Sequence, residues 1–351
     1  MGSVKDLEVL EEPSEHRMGV GRFHFSDRYS VFDWGEMPDH IPNKGMALCL
    51  MGAYCFHRLE AKGVNTHYRG LVTEEGEVVS FQDLDQPTDI MEFDLVNVYH
   101  PKTRMEDGSL TYDYTMFNPD LNNYLIPLEV IYRNGLPPGS SVFKRLEEGT
   151  VTLEELGLDH HPEPGEDLSS PIFDVSTKLE EKDRYITWEE GQKIAGLTPQ
   201  EVEDIQDILL KVDETITDLA FQAGLKNEDG KIELAFNPSR ELMIVDVVGT
   251  LDECRFTYKD LPVSKEAARR FYRETAWYQD VLQTKKKAKK EGIQNWRRLC
   301  PTSPSSLDPE LKTIITEMYL SAANELTNRN LFDAPTLKET TQKYQEYTAS
   351  N

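Results

Sequence analysis

The chain lacks most features that stabilise proteins covalently or anchor them in membranes. Its 351 residues include four cysteines with no CxxC spacing. A zinc site or disulfide framework is therefore not expected, and a reducing compartment is indicated. No apolar run reaches about 18 residues, so no transmembrane helix is expected. The polar, acidic N-terminal segment does not resemble a secretory signal. These features together predict a cytoplasmic protein.

Positive charge is scarce in this chain. Lys and Arg number 38 against 63 Asp and Glu, and the formal net charge is −25. Such a surface repels nucleic acids and anionic membranes, so neither is expected as a partner. If the ligands are anions, the protein must gather its few cations beside them, and basic residues in loops become informative. The basic run at 285–290 lies in a polar helical pattern that is more typical of a solvated face.

The order of the predicted elements indicates an α+β protein. Short β-like runs dominate residues 1–128, with one strong helix pattern at about 45–63. An apolar strand is predicted at 125–134. Further helix patterns follow at 198–224, 264–291 and 307–330. Strands first and helices later suggest two lobes. We predict a β-rich N-terminal lobe over 1–128 and a mixed α/β lobe over 129–351.

Residues 230–256 predict an apolar β-hairpin that carries charges. Lys231 and Glu233 are two residues apart in the first strand and therefore share a face, and Asp246 lies in the second, predicted over 242–248. Buried charges are costly unless they are paired, hydrogen-bonded or bound to metal. Two acids with a lysine suit Mg²⁺ and a nucleotide phosphate. An edge hairpin with a solvated face is the alternative, although the apolar flanks argue against it.

The loop at 133–141, RNGLPPGSS, combines groups that bind phosphate. Arg133 supplies a guanidinium, two glycines free the backbone, and Ser140 and Ser141 add hydroxyls. Together these groups can form a phosphate cradle. The Walker pattern GxxxxGK[ST] is absent. An ordinary surface turn is therefore the alternative interpretation.

Three further stretches are richer in functional side chains than a scaffold requires. The segment 25–45 is dense in Asp, Ser, Gly and aromatic residues and is predicted to form a structured loop before a helix. A polar loop holds Lys178 and Asp183. A predicted helix holds Arg269 and Arg273, which are four residues apart on one face. Taken alone, the last two stretches are better explained as solvated surface. No Ser-His-Asp or Cys-His signature is present.

In their order along the chain, these stretches resemble the motifs of the SAICAR synthetase family. DRYSVFD and IPNKG are similar to the family's DRxSAFD and IPxKG, and IPLEVIYRN with GSS is similar to its hinge and arginine loop. PIFDVSTK with KD resembles PxFxxxTK…HD, and KIE resembles KxE. VDVVGTLDECRF resembles VDExxTPDSSRF, and RRFYR resembles (K/R)xFxR. The resemblance extends from about Ser3 to Leu331. Among the departures, Val247 replaces an acid, and Glu253 and Cys254 replace two serines.

The resemblance implies a two-lobed α+β fold with an ATP cleft between the lobes. It implies that Glu233 and Asp246 hold Mg²⁺ with ATP, and that Glu129 lies at the hinge near the adenine. Lys5 is the cation that remains of the family's N-terminal glycine loop. Lys5 and Lys231 would offset phosphate charge.

The resemblance also assigns residues to the substrates and to catalysis. Lys231, Lys178 and Asp183 are the implied catalytic residues. The implied substrate-binding residues are Ser30, Asp33, Arg133, Ser140, Asp229, Arg255 and Arg273. Of these, Arg133, Ser140 and Arg255 would hold a ribotide phosphate.

The reaction that the resemblance implies is amide formation in purine biosynthesis. ATP would activate the carboxylate of CAIR, a carboxylated aminoimidazole ribotide, as an acyl phosphate, and the amine of L-aspartate would displace the phosphate. The products would be SAICAR, ADP and phosphate. Catalysis would then rest on positioning and charge neutralisation. The alternatives are a ligase of the same fold that acts on another carboxylate or amine, and a non-catalytic nucleotide-binding protein. The resemblance is compatible with a homo-oligomer.

Overall fold

The computed structural model describes residues 4–106, 109–291, 293 and 295–350. Within these ranges the chain forms two antiparallel sheets, a separate two-stranded hairpin and a set of helices. This architecture confirms the predicted α+β class.

A five-stranded antiparallel sheet lies in the N-terminal part. Its strands are β1 (Lys5–Glu11), β2 (Gly19–Phe25), β3 (Tyr68–Val72), β4 (Val78–Val79) and β5 (Ile90–Leu95). They follow the order β1-β2-β5-β3-β4, so β1 is an edge strand. Strand β1 is not among the strands that the sequence predicts. This strand begins at Lys5 and therefore fixes the backbone of that residue in a sheet.

A seven-stranded antiparallel sheet carries the predicted site. Two short strands that form a separate hairpin precede it, β6 (Lys102–Glu106) and β7 (Ser109–Asp113). The strands of the sheet are β8 (Tyr124–Leu136), β9 (Glu166–Thr177), β10 (Tyr185–Ile186), β11 (Lys226–Phe236), β12 (Leu242–Val245), β13 (Cys254–Tyr258) and β14 (Leu261–Val263). Strand β11 lies at the centre, because β8 pairs along one edge while β13 and β12 share the other.

The predicted hairpin is present, but its second strand is shorter than predicted. Strand β12 ends at Val245, so Asp246 lies one residue beyond the strand and not within it. Its φ of 67° is in the left-handed region, which a non-glycine residue rarely adopts. The chain turns at this point, and this turn separates Asp246 from the regular alternation of side chains on which the prediction relied.

The helices are largely where the periodicity predicts them. They are α1 (Lys44–Glu60), α2 (Ser141–Glu147), α3 (Trp188–Ile194), α4 (Pro199–Gln222), α5 (Glu266–Arg273), α6 (Ala276–Glu291), α7 (Pro309–Thr327) and α8 (Leu337–Ser350). The start of α4 is set by a capping box, in which Thr198 Oγ1 accepts from the Glu201 backbone N–H and the Glu201 carboxylate accepts from the Thr198 N–H. Helix α8 was not predicted.

Helix α1 is the centre of the core. It is apolar around most of its circumference, and it packs against α4, α7 and the five-stranded sheet. The main apolar cluster also contains residues of β8, β11 and β12, so both sheets contribute to one core. Two isolated β-bridges join segments next to the five-stranded sheet to strands of the seven-stranded sheet. They pair Thr66 with Ile244 of β12 and Asn97 with Tyr124 of β8. The lobe boundary at 128/129 stays a prediction. No helix in the described ranges has the length and apolar character needed to cross a membrane.

The first residue of α1 makes a buried ion pair whose loss should be costly. Lys44 is fully buried, and its Nζ lies 2.8 Å from Asp252 Oδ2, while the Tyr319 hydroxyl donates to Asp252 Oδ1 at 2.7 Å. Lys44→Met would leave the Asp252 carboxylate buried without its cation. We expect the free energy of unfolding in urea to fall by about 3–5 kcal/mol.

Lys343→Met is the matched control for this prediction. Lys343 pairs with Glu317 at 2.7 Å on the surface, and about half of its side chain is exposed. Exposed pairs contribute about 0–1 kcal/mol, so this variant should change stability little. Equal, small losses in both variants would show that the Lys44–Asp252 pair does not stabilise the fold.

Candidate active site

A cavity of about 660 Å³ opens where β8, β11 and β13 lie side by side. Residues of α5, of α6 and of the loop before α1 also line this cavity. The predicted site residues that line the cavity are Asp33, Glu129, Arg133, Asp183, Asp229, Lys231, Arg255 and Arg273. The predicted site residues that do not line it are Lys5, Ser30, Ser140, Lys178, Glu233 and Asp246. The structure thus brings residues from distant parts of the chain to one cleft.

A network of alternating charges reaches the cavity through Glu129, Lys231 and Glu253, whereas its other members, Lys178 and Glu233, do not line the cavity. Glu129 of β8 and Glu233 of β11 are direct cross-strand partners. Lys231 Nζ lies 3.0 Å from Glu129 Oε1 and 3.0 Å from Glu253 Oε2. Lys178 Nζ lies 3.4 Å from Glu129 Oε1 and also contacts the Glu233 carboxylate. Each buried charge in the hairpin therefore has an oppositely charged neighbour.

The charges of this network shift the pKa values of the two acids of the hairpin in opposite directions. Burial raises the pKa of Glu233 to about 7, the charge of Asp246 adds to this effect, and Lys178 and Lys231 oppose it. Burial would also raise the pKa of Asp246, but Lys5, whose Nζ lies 2.5 Å from Asp246 Oδ1, lowers it to about 2. Asp246 is thus ionised at neutral pH, whereas the pKa of Glu233 lies close to neutral pH.

Glu233 and Asp246 fit a magnesium ion only together with a ligand that supplies further oxygens. In the part of the chain that the structure describes, no three His, Cys, Asp or Glu side chains are grouped to hold a metal. Two carboxylates that repel each other are nevertheless a suitable oxygen donor pair. Mg²⁺ is commonly held by one or two carboxylates plus substrate phosphates. The donor set therefore matches a metal that arrives with a phosphate-bearing ligand.

A smaller apolar pocket of about 140 Å³ adjoins the two acids. Phe23, Phe93 and Val245 line it beside Glu233 and Asp246. His67 lies at the same place, and its Nε2 donates to the Asp246 backbone carbonyl at 3.1 Å. Burial lowers the pKa of His67 to about 4, so the ring is neutral at pH 7. This hydrogen bond supports the left-handed backbone of Asp246.

Two arginines converge on one carboxylate at another part of the cavity. Arg133 NH1 lies 3.4 Å from Asp229 Oδ2. Arg255 donates hydrogen bonds to both carboxylate oxygens of Asp229, and its Nε lies 2.8 Å from Oδ1. Arg133 also donates to Asp174 and to the Ser141 hydroxyl at 3.3 and 3.2 Å. Guanidinium groups held in this way present their remaining N–H donors in a fixed geometry.

The structure places Ser141, and not the predicted Ser140, beside Arg133. Ser140 is buried at the N-terminus of α2, where its Oγ accepts from the Val142 backbone N–H at 3.4 Å. Ser141 lines the cavity and contacts Arg133. The strand β8 also continues to Leu136, so Arg133 lies within the strand and not at its end.

The remaining predicted residues have identifiable partners or surroundings. Asp33 contacts Lys285 at 2.7 Å, so the first lysine of the basic run is paired with the loop before α1. Arg273 contacts Glu266. Asp183 faces the cavity, and burial, followed by the charge of Glu129, raises its pKa to about 6.

The departures from the family's motifs have separate structural explanations. Val247 is buried in the core and packs against Gly52 of α1. A β-carbon at Gly52 would lie only 2.8 Å from a methyl group of Val247. Cys254 is buried, and its Sγ lies 3.5 Å from the Tyr132 hydroxyl. Glu253 contacts Lys231 and not Arg255, so its negative charge is paired within the charge network.

A family model described as SAICAR synthetase matches residues 15–290. The chain belongs to the SAICAR synthetase family. A putative phosphoribosylaminoimidazole-succinocarboxamide synthase of Archaeoglobus fulgidus is 47% identical to this SAICAR synthetase family member over 346 residues, which is 99% of both chains. The phosphoribosylaminoimidazole-succinocarboxamide synthase of Thermoplasma acidophilum is 31% identical over 276 residues, 77% of this chain and 83% of that protein. The resemblance drawn from the motifs is confirmed.

Solved structures share the fold of this SAICAR synthetase family member. The Saccharomyces cerevisiae SAICAR synthase complexed with SAICAR has a TM-score of 0.62 at 19% identity, over 93% of each chain. A SAICAR synthetase in complex with ADP has a TM-score of 0.55 at 19% identity, over 87% of this chain and 99% of that one. These matches confirm the predicted SAICAR synthetase-like fold.

Proposed function

We propose that this protein condenses CAIR with L-aspartate to form SAICAR, with ATP as the phosphoryl donor. The observation that carries the proposal is one cleft lined both by the Arg133–Asp229–Arg255 cluster and by Glu129 and Lys231, which belong to a charge network with Glu233 and Lys178. A reaction that joins three anionic molecules requires fixed cations within an acidic protein, and this cleft provides them. Membership of the SAICAR synthetase family supports the same reaction.

The nucleotide is proposed to lie at the Glu233 and Asp246 side of the cleft. The apolar pocket beside these acids suits a flat base, and a solved relative of the same fold contains ADP. Glu233 and Asp246 would hold Mg²⁺ together with the phosphates, and Lys5 would contact a phosphate. Magnesium, when bound, would supply positive charge to the phosphate oxygens. Glu129 lines the larger cavity and contacts Lys178 and Lys231, so we assign it to orienting these lysines more than to the adenine.

The chemistry proposed is acyl transfer through an acyl phosphate. An oxygen of the CAIR carboxylate attacks the γ-phosphorus of ATP, and ADP leaves. The amine of L-aspartate then attacks the acyl carbon, and inorganic phosphate leaves with its bonding electron pair. Asp183, with its raised pKa of about 6, would accept the proton that the amine loses. Lys178 and Lys231 would offset the charge that moves between the phosphoryl oxygens.

The ribotide phosphate is proposed to lie against Arg133, Arg255 and the serine loop. Asp229 holds both guanidinium groups, so the site is organised before the ligand arrives. Ser141 is better placed than Ser140 to contact this phosphate. Asp33 and Arg273 line the same cavity and would bound the substrates on the opposite side. Ser30 stays a predicted substrate contact.

An omission assay tests this proposal. Purified protein is incubated with ATP, Mg²⁺, CAIR and L-aspartate, and ADP release is followed with each component left out in turn. We expect stoichiometric ADP release only in the complete mixture. Release with a different acid and none with CAIR would favour the alternative ligase. One observation favours this alternative. Glu253, which contacts Lys231, occupies a position where the family's motif has a serine.

A further inference from the structure

Lys265 is a cation of the cleft that the proposed reaction has not yet used. It follows β14 and immediately precedes α5, and it lines the 660 Å³ cavity together with Arg269. No carboxylate oxygen of the described residues lies within 4.0 Å of its Nζ. Lys231 in the same cavity contrasts with it, because Lys231 contacts Glu129 and Glu253 at 3.0 Å each.

The acids near Lys265 are already bound to other groups. Glu266 contacts Arg273 and lies 3.4 Å from Arg269. Asp252 contacts Lys44 and Tyr319, and Glu253 contacts Lys231. Burial lowers the pKa of Lys265, Asp252 opposes this shift, and the charge of Arg269 adds to it. An unneutralised lysine beside an arginine in a cavity is well suited to bind an anion.

We propose that Lys265 binds a carboxylate of the amino dicarboxylic acid substrate. The inference rests on the proposed function and identifies where its amine substrate would be held. The other anions of the reaction have separate cationic groups: Arg133 and Arg255 for the ribotide phosphate, and Lys5 beside Asp246 for the nucleotide. The wall formed by Lys265 and Arg269 is the part of the cavity left for the two carboxylates of L-aspartate.

Steady-state kinetics on Lys265→Met and Lys265→Arg test this assignment. We expect the methionine variant to raise KM for L-aspartate roughly 10- to 100-fold, as loss of a hydrogen bond to a charged group does. KM for ATP and for CAIR should stay near the wild-type values. The arginine variant keeps the charge and should restore part of the affinity. Lys259→Met, in the exposed turn before β14, is the matched control and should behave as wild type.

The outcomes separate the inference from the proposed function. A rise in KM for CAIR instead of L-aspartate would assign Lys265 to the ribotide carboxylate and overturn the inference. Unchanged constants in a folded Lys265→Met variant would overturn it as well. A wild-type protein that forms no amide from L-aspartate would instead contradict the proposed function.

A binding measurement decides the role of Lys265 without turnover. Acetic anhydride acetylates exposed amines, and mass spectrometry can follow the rate at Lys265 in the wild-type protein. L-Aspartate at about ten times its dissociation constant should slow this rate about tenfold, because the ligand then occupies most sites. The rate at Lys265 is expressed relative to the rate at the exposed Lys259, because the acetyl group is also transferred to the free amino acids. L-Lysine, which carries only one carboxylate and a second amine, should change this ratio little. Acetylation of Lys265 at equal rates with and without L-aspartate would contradict the inference.

Discussion

Glu233→Gln is expected to lower kcat by roughly 10²–10³-fold, the usual range for removing one fixed electrostatic partner from an active site. Glu233 is buried between Lys178 and Lys231 and, with Asp246, forms the proposed magnesium pair. The amide keeps the shape of the side chain but loses the negative charge. Magnesium and the nucleotide phosphates would then be held less firmly at the moment when charge moves between oxygens.

The variant should remain folded. Burial and Asp246 already raise the pKa of Glu233 to about 7, so the folded protein tolerates a neutral group at this position. Lys178 would keep Glu129 as a partner at 3.4 Å. We expect the melting temperature to fall by no more than a few degrees.

Glu241→Gln provides a matched control on the same hairpin. Glu241 is exposed at the turn that connects β11 and β12, and it makes the same change from acid to amide. Its kcat should equal that of the wild type. If Glu233→Gln also kept full activity in the coupled ADP assay, Glu233 would not hold the metal. If the wild type showed no turnover and Glu233→Gln lost nucleotide binding, the non-catalytic alternative would be supported.

Arg255→Met is expected to raise KM for CAIR roughly 10- to 100-fold, because a hydrogen bond to a charged group contributes about 1.5–3 kcal/mol. Arg255 is about one quarter exposed towards the cavity and is held by both oxygens of Asp229. Its remaining donors are available to an anion. KM for ATP and for L-aspartate should change little, because their proposed sites lie at other parts of the cleft.

Structural damage should be limited in this variant, since Arg133 would still lie 3.4 Å from Asp229. Arg255→Lys should recover only part of the affinity, because a lysine cannot reproduce the two-pronged contact with Asp229. Arg104→Met, on the exposed hairpin formed by β6 and β7, is the control for the loss of one surface arginine. A rise in KM for ATP with an unchanged KM for CAIR would move Arg255 to the nucleotide phosphates.

The sequence predicted elements well wherever the pattern was local. Helix α4 shows this clearly, because its capping box and its apolar period both lie within one segment. The faces of Lys231 and Glu233 also followed from strand alternation, which places residues two apart on one side. Asp246 departed from the prediction because a left-handed turn after Val245 interrupts the alternation. A turn of this kind at a non-glycine residue leaves no local signal.

Partners distant in sequence could not be predicted from composition or spacing. Lys44 and Asp252 are 208 residues apart, and Arg133 meets Asp174 only because β8 and β9 pair in one register. Lys265 received no role because its lack of a partner becomes visible only when the surrounding acids are placed. The predicted phosphate contact of Ser140 failed to allow for the start of α2 at Ser141, because helix boundaries are predicted only to within one or two residues.

The measurement that most directly tests the proposed reaction is the fate of the L-aspartate nitrogen. The protein would be incubated with ATP, Mg²⁺, CAIR and ¹⁵N-labelled L-aspartate, and the products would be analysed by mass spectrometry with ADP measured in parallel. We expect the label in the amide of SAICAR, with one SAICAR formed for each ADP. ADP formed without the labelled amide, or a labelled amide that requires a carboxylate other than CAIR, would contradict the proposed function.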